Sequence, residues 1–239
     1  MDVILKAEDI HAGYGKIHVL FGVDIKVVKN SITVIVGPNG SGKSTLLKTL
    51  HGITTLYKGR IFFERKEITR LKPFQRARLG IAYMPQLNNV FNNMSVRENL
   101  LMAAYLLDKD AAKERLEEVL QIFPFLRDYM NKKAYQMSGG ERQMLALAIC
   151  MMRRPKMILI DEPTSNLAPK IATQVFDKII QLRDEYNTTI LLVEQNAKKA
   201  LEISDYAYLL VNGKTIYEGS ADSLLNHPEL GRMYLGLAR

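Results

Sequence analysis

The sequence is poor in cysteine and lacks any apolar run long enough to span a membrane. One cysteine, Cys150, cannot build a disulfide framework within the chain, which is typical of proteins from a reducing compartment. Cys150 lies in an apolar stretch of helical character, so we expect a buried core residue. The N-terminal segment MDVILKAEDI mixes acidic and basic side chains with apolar ones. We therefore expect neither a signal peptide nor a membrane anchor there.

Sequence signatures of nucleic-acid binding are also missing, although the formal net charge is +8. The densest basic stretch runs from residue 60 to 78 and has no interleaved aromatic platform, helix-turn-helix pattern or zinc-ligand spacing. A solvated basic face is the expectation for such a stretch. A surface that lies near anionic lipid or polyphosphate is the alternative. No nucleic-acid partner is predicted.

Strand-like and helix-like patterns alternate on both sides of a helical block, which predicts an α/β fold with antiparallel β pieces. At 239 residues the chain is long enough for one large domain with an inserted subdomain. We predict a single domain over residues 1–239, with an α/β core at 1–87 and 156–239. A helical subdomain is predicted at 88–155, opened by a capping box between Ser95 and Glu98.

One segment, GPNGSGKST, satisfies the phosphate-loop pattern G-x-x-x-x-G-K-[ST] between an apolar strand and a helix. Its glycines let consecutive N–H groups turn inward, and the helix that follows adds its positive end. Lys43 is expected at the β- and γ-phosphates of a bound nucleotide and Ser44 at a magnesium ion. The predicted binding residues are Gly37, Pro38, Asn39, Gly40, Ser41, Gly42, Lys43, Ser44 and Thr45.

Two acidic residues complement this loop at the end of the apolar run MILIDE. The run is too short for a helix, so we predict a buried parallel strand, and we predict the same for TTILLVE. Asp161 is expected to hold magnesium, directly or through water. Glu162 is expected to polarise the attacking water as a general base. A plain acidic pair at a strand end is the alternative.

A second glycine turn, MSGGE, opens a long helix between the phosphate loop and the acidic pair. One nucleotide needs one phosphate cradle, so the second turn requires an explanation. In this order the motifs resemble the nucleotide-binding subunits of ABC transporters, which are P-loop ATPases. The resemblance implies a head-to-tail dimer in which Ser138, Gly139 and Gly140 contact the nucleotide of the partner. An ordinary helix start with Ser138 as N-cap is the alternative.

The same resemblance assigns three further positions. Tyr14 corresponds to the aromatic residue that stacks on adenine, although such a residue is more often a half-buried strand residue. Gln86 in YMPQ corresponds to the glutamine that contacts magnesium; a polar loop residue is the alternative. Gln195 stands where a histidine is usual, and its amide is expected to donate to a γ-phosphate oxygen without becoming cationic.

Segments such as YGKIHVL, SNLAPKI and LLVEQNAKKALEISD are similar to one of the two ATPases of branched-chain amino-acid importers. This resemblance implies ATP and Mg²⁺, a homologous second ATPase subunit in a homodimer or heterodimer, and transmembrane permease subunits. It also implies a peripheral location at the cytoplasmic face of the membrane. The chain departs from the family at Glu141, where glutamine is usual, and at Ala168, where aspartate is usual. Gln86 departs from that subfamily, which usually has glutamate there.

Two alternatives to a transporter subunit follow from the residues. A soluble ABC-type ATPase of an assembly or repair system has the same motifs. A P-loop kinase for a small molecule has the phosphate loop, but it leaves MSGGE without a role.

The segment QLNNVFNNMS carries Val90, Phe91 and Met94 among four asparagines. Together with Tyr105, they are more apolar side chains than the core of a small subdomain requires. The resemblance implies a cleft here that receives a short cytoplasmic helix of the permease. Inward packing of the same side chains is the alternative.

Overall fold

The computed structural model describes residues 2–105 and 107–234, which form two β-sheets with helices packed against them. The strands are β1 (Val3–Tyr14), β2 (Ile17–Val28), β3 (Ile32–Val36), β4 (Thr55–Phe63), β5 (Lys66–Glu67), β6 (Ile81–Met84), β7 (Met157–Asp161), β8 (Thr189–Val193), β9 (Tyr206–Val211) and β10 (Lys214–Ser220). The α-helices are α1 (Lys43–His51), α2 (Pro73–Arg78), α3 (Val96–Ala103), α4 (Lys109–Ile122), α5 (Gly139–Met151), α6 (Pro169–Asp184), α7 (Ala197–Glu202), α8 (Ala221–Leu225) and α9 (Pro228–Tyr234).

The larger sheet has the order β10-β9-β3-β8-β7-β6. The neighbours from β9 to β6 pair in parallel, and β9 pairs with β10 in antiparallel orientation through the turn at Asn212 and Gly213. Every residue of β3, β7 and β8 is buried. Strands covered on both faces read as continuous apolar runs, so the predicted buried parallel strands at MILID and TILLV are confirmed.

The smaller sheet is antiparallel, with the order β2-β1-β4-β5. The two faces of the larger sheet belong to different hydrophobic clusters. Alternate residues such as Leu159 and Leu191 pack with α1 and the antiparallel sheet. Their neighbours Ile158 and Ile190 pack with the helices that follow β6 and with α6. The sheet is therefore the middle layer of the molecule.

The helical block lies between β6 and β7, which are adjacent parallel strands. It contains α3, α4, α5 and two short 3-10 helices at Pro124–Tyr129 and Ala134–Gln136. Ser95 is the N-cap of α3 and forms the predicted capping box with Glu98. The chain thus leaves the sheet after Met84 and returns to the neighbouring strand at Met157. The domain limits predicted at residues 1 and 239 lie outside the described residues.

Two expectations for single residues have different outcomes. Cys150 is buried, as predicted, and burial raises the pKa of its thiol to about 12. The prediction that the basic stretch is solvated is wrong for Arg76, because this side chain is only 2% exposed. Its guanidinium donates to the carbonyl oxygens of Thr49 and Leu50 at the end of α1. Arg76 therefore supplies hydrogen bonds that the last carbonyls of that helix lack.

No helix in the described ranges is both long and apolar enough to cross a lipid bilayer.

Candidate active site

Four groups of predicted site residues lie at the carboxyl edge of the parallel sheet. The phosphate loop (residues 37–45) follows β3, Gln86 follows β6, the acidic pair ends β7, and Gln195 follows β8. Since these strands are parallel and adjacent, their carboxyl ends meet at one edge, where open α/β sheets bind ligands. The sheet topology brings together segments that are far apart in the sequence.

The phosphate loop has a backbone that glycine alone accommodates at its first position. Gly37 has φ 148°, and a Cβ there would lie 2.0 Å from the carbonyl oxygen of Leu210. Gly40 and Gly42 also have positive φ, at 76° and 101°. The Ser41 hydroxyl is buried and has no hydrogen-bond partner among the described residues. An unpaired polar atom inside a curled loop fits a site that binds an anionic group.

Lys43 is the first residue of α1, and its side chain turns back onto the loop. Its ammonium donates to the carbonyl oxygens of Gly37 at 2.9 Å and Pro38 at 3.0 Å. Burial lowers the pKa of Lys43, and the nearby carboxylates of Glu162 and Asp161 oppose this. Of the other loop residues, Asn39 and Gly40 are exposed at the tip, and Thr45 is buried within α1.

Asp161 is 2% exposed, and each of its carboxylate oxygens accepts a hydrogen bond. The Ser44 hydroxyl donates to Oδ1 at 2.7 Å, and the Tyr83 hydroxyl donates to Oδ2 at 3.3 Å. Burial raises the pKa of Asp161, whereas the bond from Ser44 lowers it. A hydroxyl beside a carboxylate is an oxygen pair that suits Mg²⁺, which takes its other ligands from water and phosphate.

Glu162 follows directly and has an unusual backbone for a glutamate, with φ 46°. Its side chain is half-buried, and burial raises its pKa; the Lys43 ammonium opposes this. The Gln86 amide donates to Glu162 Oε2 at 2.8 Å and to the Ser165 hydroxyl at 3.3 Å. The structure therefore places Gln86 on the carboxylate of Glu162, next to Asp161 in the chain.

Tyr14 ends β1 beside the helix of the phosphate loop and is 43% exposed. Its hydroxyl lies 3.5 Å from the Thr45 hydroxyl. The turn that follows is held by Tyr57, whose hydroxyl donates to the carbonyl oxygens of Gly15 and Ile17. An aromatic ring is thus presented next to the phosphate loop.

The signature turn (residues 137–141) begins α5. Ser138 is its N-cap and forms a capping box with Glu141, so the N-cap interpretation is correct for the geometry within this chain. Ser138 is exposed, and Gly140 is buried against Ile171 of α6. Gly139 lines a surface pocket together with Gln86, Ser165 and Leu167, and no phosphate-loop residue lines it.

The side chain of Gln195 is exposed in a second pocket, which Ser165 and Asn166 also line. The sequence interpretation missed two side chains in this region. Tyr83 bonds to Asp161, and Glu194 bonds to the backbone on both sides of the site. Glu194 had a usable signal, because it is an acid directly after a buried strand, as Asp161 ends one.

Known proteins are similar to this chain in sequence and in fold. A family model described as ABC transporter matches residues 20–165. The probable branched-chain amino acid transport ATP-binding protein LivF of Archaeoglobus fulgidus is 50% identical over 234 residues, which cover 98% of this chain and 99% of that protein. The high-affinity branched-chain amino acid transport ATP-binding protein BraG of Pseudomonas aeruginosa is 41% identical over 233 residues, covering 98% and 100%.

A solved structure of an ATP-binding cassette of an ABC transporter, in its ADP conformation, superposes with a TM-score of 0.88. It is 30% identical, and the match covers 97% of this chain and 98% of that one. The prediction of a P-loop α/β fold is confirmed, and so is the family that the ordered motifs indicate. On the family match, the identities and the shared fold, the chain belongs to the ABC transporter family.

Proposed function

We propose that the chain is the ATP-binding and ATP-hydrolysing subunit of an ABC transporter, and that the transporter imports branched-chain or related amino acids. The names of its similar relatives support the substrate class. The observation that best supports ATP hydrolysis is the 2.7 Å hydrogen bond between Ser44 of the phosphate loop and Asp161. It joins the phosphate loop to an acidic pair in which Asp161 is suited to hold magnesium and Glu162 is suited to activate water.

Phosphate binding falls to the loop of residues 37–45. Its curled backbone aims N–H groups inward, and α1 adds the positive end of its dipole. The buried Ser41 hydroxyl, which is unpaired in the described structure, is a further donor. Lys43 exchanges its bonds to Gly37 and Pro38 for phosphate oxygens when nucleotide binds. Tyr14 stacks on the adenine ring, since its exposed ring lies beside this loop.

Magnesium is assigned to Ser44, Asp161 and Gln86. The first two already lie in hydrogen-bond contact, and Gln86 contacts Glu162, the next residue in the chain. When bound, the ion neutralises charge on the phosphate oxygens.

Water activation is assigned to Glu162. Burial raises the pKa of its carboxyl, which makes the ionised form a stronger base than a solvated glutamate. Gln195, at the end of the neighbouring strand, donates its amide to the γ-phosphate. The second candidate role for Glu162, a structural strand-end acid, does not explain its left-handed backbone beside the phosphate loop.

Partners follow from the signature turn. Ser138, Gly139 and Gly140 contact the nucleotide of a second ATPase subunit arranged head to tail, a homologous copy or a related chain. The helical subdomain, residues 88–155, contacts the transmembrane permease subunits, and the core consists of residues 1–87 and 156–239. The subunit lies at the cytoplasmic face of the membrane as a peripheral protein. The names of its relatives give no support to a soluble assembly or repair ATPase.

The substitution Glu162→Gln tests the catalytic assignment. Its amide still accepts the bond from Gln86 but is no longer a base. We expect ATP to bind with near-normal affinity and turnover to fall about a hundred- to ten-thousandfold. The exposed Glu202→Gln is the matched control and should keep its turnover. Turnover of Glu162→Gln within a few-fold of wild type would remove Glu162 from this role.

A further inference from the structure

Glu194 is a buried carboxylate for which the proposed roles have no use. It follows β8 directly and is 2% exposed. Burial raises its pKa, and its hydrogen bonds oppose that rise. A buried carboxylate is costly unless each of its oxygens is hydrogen-bonded. The hydrogen-bond partners of the Glu194 carboxylate therefore indicate its role.

The two oxygens of Glu194 serve two different loops. Oε1 accepts from the backbone N–H of Thr164 at 3.0 Å and from its hydroxyl at 2.7 Å. Oε2 accepts from the backbone N–H of Gln195 at 3.0 Å and from that of Asn196 at 3.4 Å. One side chain thus ties the catalytic turn (residues 162–165) to the loop that carries Gln195.

The catalytic turn needs such support. The backbone of Glu162 has φ 46°, a left-handed conformation that costs free energy for any residue with a Cβ. Its own N–H donates to the carbonyl oxygen of Val193 at 2.9 Å. Val193 and Glu194, consecutive residues at the end of β8, therefore hold the N–H groups of Glu162 and Thr164. The strained residue is fixed on both sides from the neighbouring strand.

We propose that Glu194 is a positioning residue that holds the Glu162 turn and the Gln195 loop as one unit. This inference rests on the proposed function, because it assumes that Glu162 activates the attacking water and that Gln195 contacts the γ-phosphate. A carboxylate suits this task because both of its oxygens accept and neither donates. A glutamine there keeps one accepting oxygen and turns its NH₂ group toward N–H donors on the other side.

The substitution Glu194→Gln tests the proposal, with the exposed Glu202→Gln as the control. We expect turnover to fall about tenfold or more, because a small misplacement of catalytic groups costs orders of magnitude. Affinity for a non-hydrolysable ATP analogue should stay within about twofold of the wild-type value. The phosphate loop connects β3 to α1, and in the described structure Glu194 has no hydrogen bond to it. Amide hydrogen exchange should become faster at Thr164, Gln195 and Asn196 and stay unchanged in α1. Glu202→Gln should match the wild type in all three measurements.

Three results would overturn the proposal: unchanged turnover, unchanged exchange at those three amides, or a uniform loss of affinity and protection throughout the chain. The last would make Glu194 a residue of general stability. A wild-type chain without ATPase activity would instead overturn the proposed function, and the exchange measurement would still report whether Glu194 joins the two loops.

If Glu194→Gln does not fold, Thr164→Val and Thr164→Ser decide. Valine removes only the hydroxyl bond to Glu194 and keeps the side-chain volume, so turnover should fall about threefold. Serine keeps the hydroxyl and should restore turnover to within about twofold of the wild type. Equal turnover in the valine variant and the wild type would overturn the proposal.

Discussion

At the scale of single residues, burial sets the proton affinity of the acids at this site. Burial is the largest cause of the raised pKa of Asp161, Glu162 and Glu194. Each folded carboxyl therefore binds protons more readily than the unfolded one does. Such a group favours folding when it is protonated and opposes folding when it is ionised. The site keeps these acids for function at a cost in stability near neutral pH.

The raised pKa of Glu162 leads to a prediction for Glu162→Gln. The substitution removes an ionised, half-buried carboxylate, so the variant should melt about 2 °C above the wild type near neutral pH. As the pH falls, the wild-type carboxyl gains its proton and the difference in melting temperature should shrink, because burial raises the pKa of Glu162. Thermal denaturation at several pH values checks this, with Glu202→Gln as the control. A difference that grows on acidification would show that the pKa of Glu162 is lowered instead.

At the scale of elements, the close packing of α5 on α6 fixes the signature turn. The two glycines of the turn have different surroundings. A Cβ on Gly140 would lie 2.2 Å from Cγ2 of Ile171, whereas one on Gly139 would lie 3.3 Å from Cδ2 of Leu167. The first contact is with a branched side chain close to its backbone, and the second is with the end of a flexible one. Only Gly140 is therefore required by packing.

We predict that Gly140→Ala destabilises the fold by about 1–3 kcal/mol through overpacking. Gly139→Ala is the matched control and should change stability by less than about 1 kcal/mol. Chemical denaturation measures both. The double variant Gly140→Ala with Ile171→Ala should lose less than the sum of the single variants, because the clashing methyl is gone. Additive losses would show that α5 and α6 do not meet at this contact.

The loop after Gln86 presents an apolar side chain on a fixed backbone. Phe91 is 58% exposed, so inward packing is wrong for it, whereas Val90 packs partly against the core. The buried Asn99 accepts from the Phe91 N–H at 2.8 Å and donates to its carbonyl oxygen at 3.0 Å. Tyr105 is also exposed, and Met94 is half-buried. The ring of Phe91 therefore projects into solvent from a backbone that Asn99 holds through two hydrogen bonds.

We predict that Phe91→Asp leaves the melting temperature within about 2 °C of the wild type, because the bonds to Asn99 involve only the backbone. ATPase activity of the isolated subunit should also persist. Assembly with the permease, measured by co-purification, should be lost if this loop forms the docking cleft. Val90→Asp is the contrast and should lower the melting temperature. Normal assembly of Phe91→Asp would place the docking surface elsewhere.

At the scale of the whole molecule, the pocket that Gly139 of the signature turn lines within the described chain contains no residue of the phosphate loop. Gly139 lines the pocket that contains Gln86 and Ser165, and the phosphate loop lies against Asp161. Under the proposed function, the two glycine turns of one chain suit a pair of composite sites, each built from two chains. Such head-to-tail sites require both subunits of a dimer.

Mixing two inactive variants tests these composite sites. Lys43→Ala disables the phosphate loop and Ser138→Arg blocks the signature turn, so each homodimer should be inactive. In a mixed dimer one site carries both defects and the other carries neither. A 1:1 mixture should regain about a quarter of wild-type turnover if the intact sites work independently. Absence of recovery, with mixed dimers demonstrated by tagged co-purification, would contradict action in trans.

Local chemistry made much of the molecule predictable from sequence. The phosphate loop needs glycines at fixed positions, buried parallel strands need continuous apolar runs, and helix starts need caps. These requirements act within a few residues. They identified β3, β7, β8 and the capping box at Ser95, together with the burial of Cys150. The ordered motifs also identified the family, because their sequence order is more specific than any one motif.

The tertiary structure decided which of those residues meet. The order of β3, β8, β7 and β6 places Ser44 on Asp161 and Gln86 on Glu162, contacts that span more than seventy positions of the chain. It also turns Arg76 inward from a basic stretch that reads as solvated. The Glu194 carboxylate accepts from the backbone N–H of Thr164 in the turn after β7, and because every residue except proline has such an N–H, the identity of residue 164 does not reveal this contact. Side-chain identity follows local chemistry, whereas such contacts depend on the path of the whole chain.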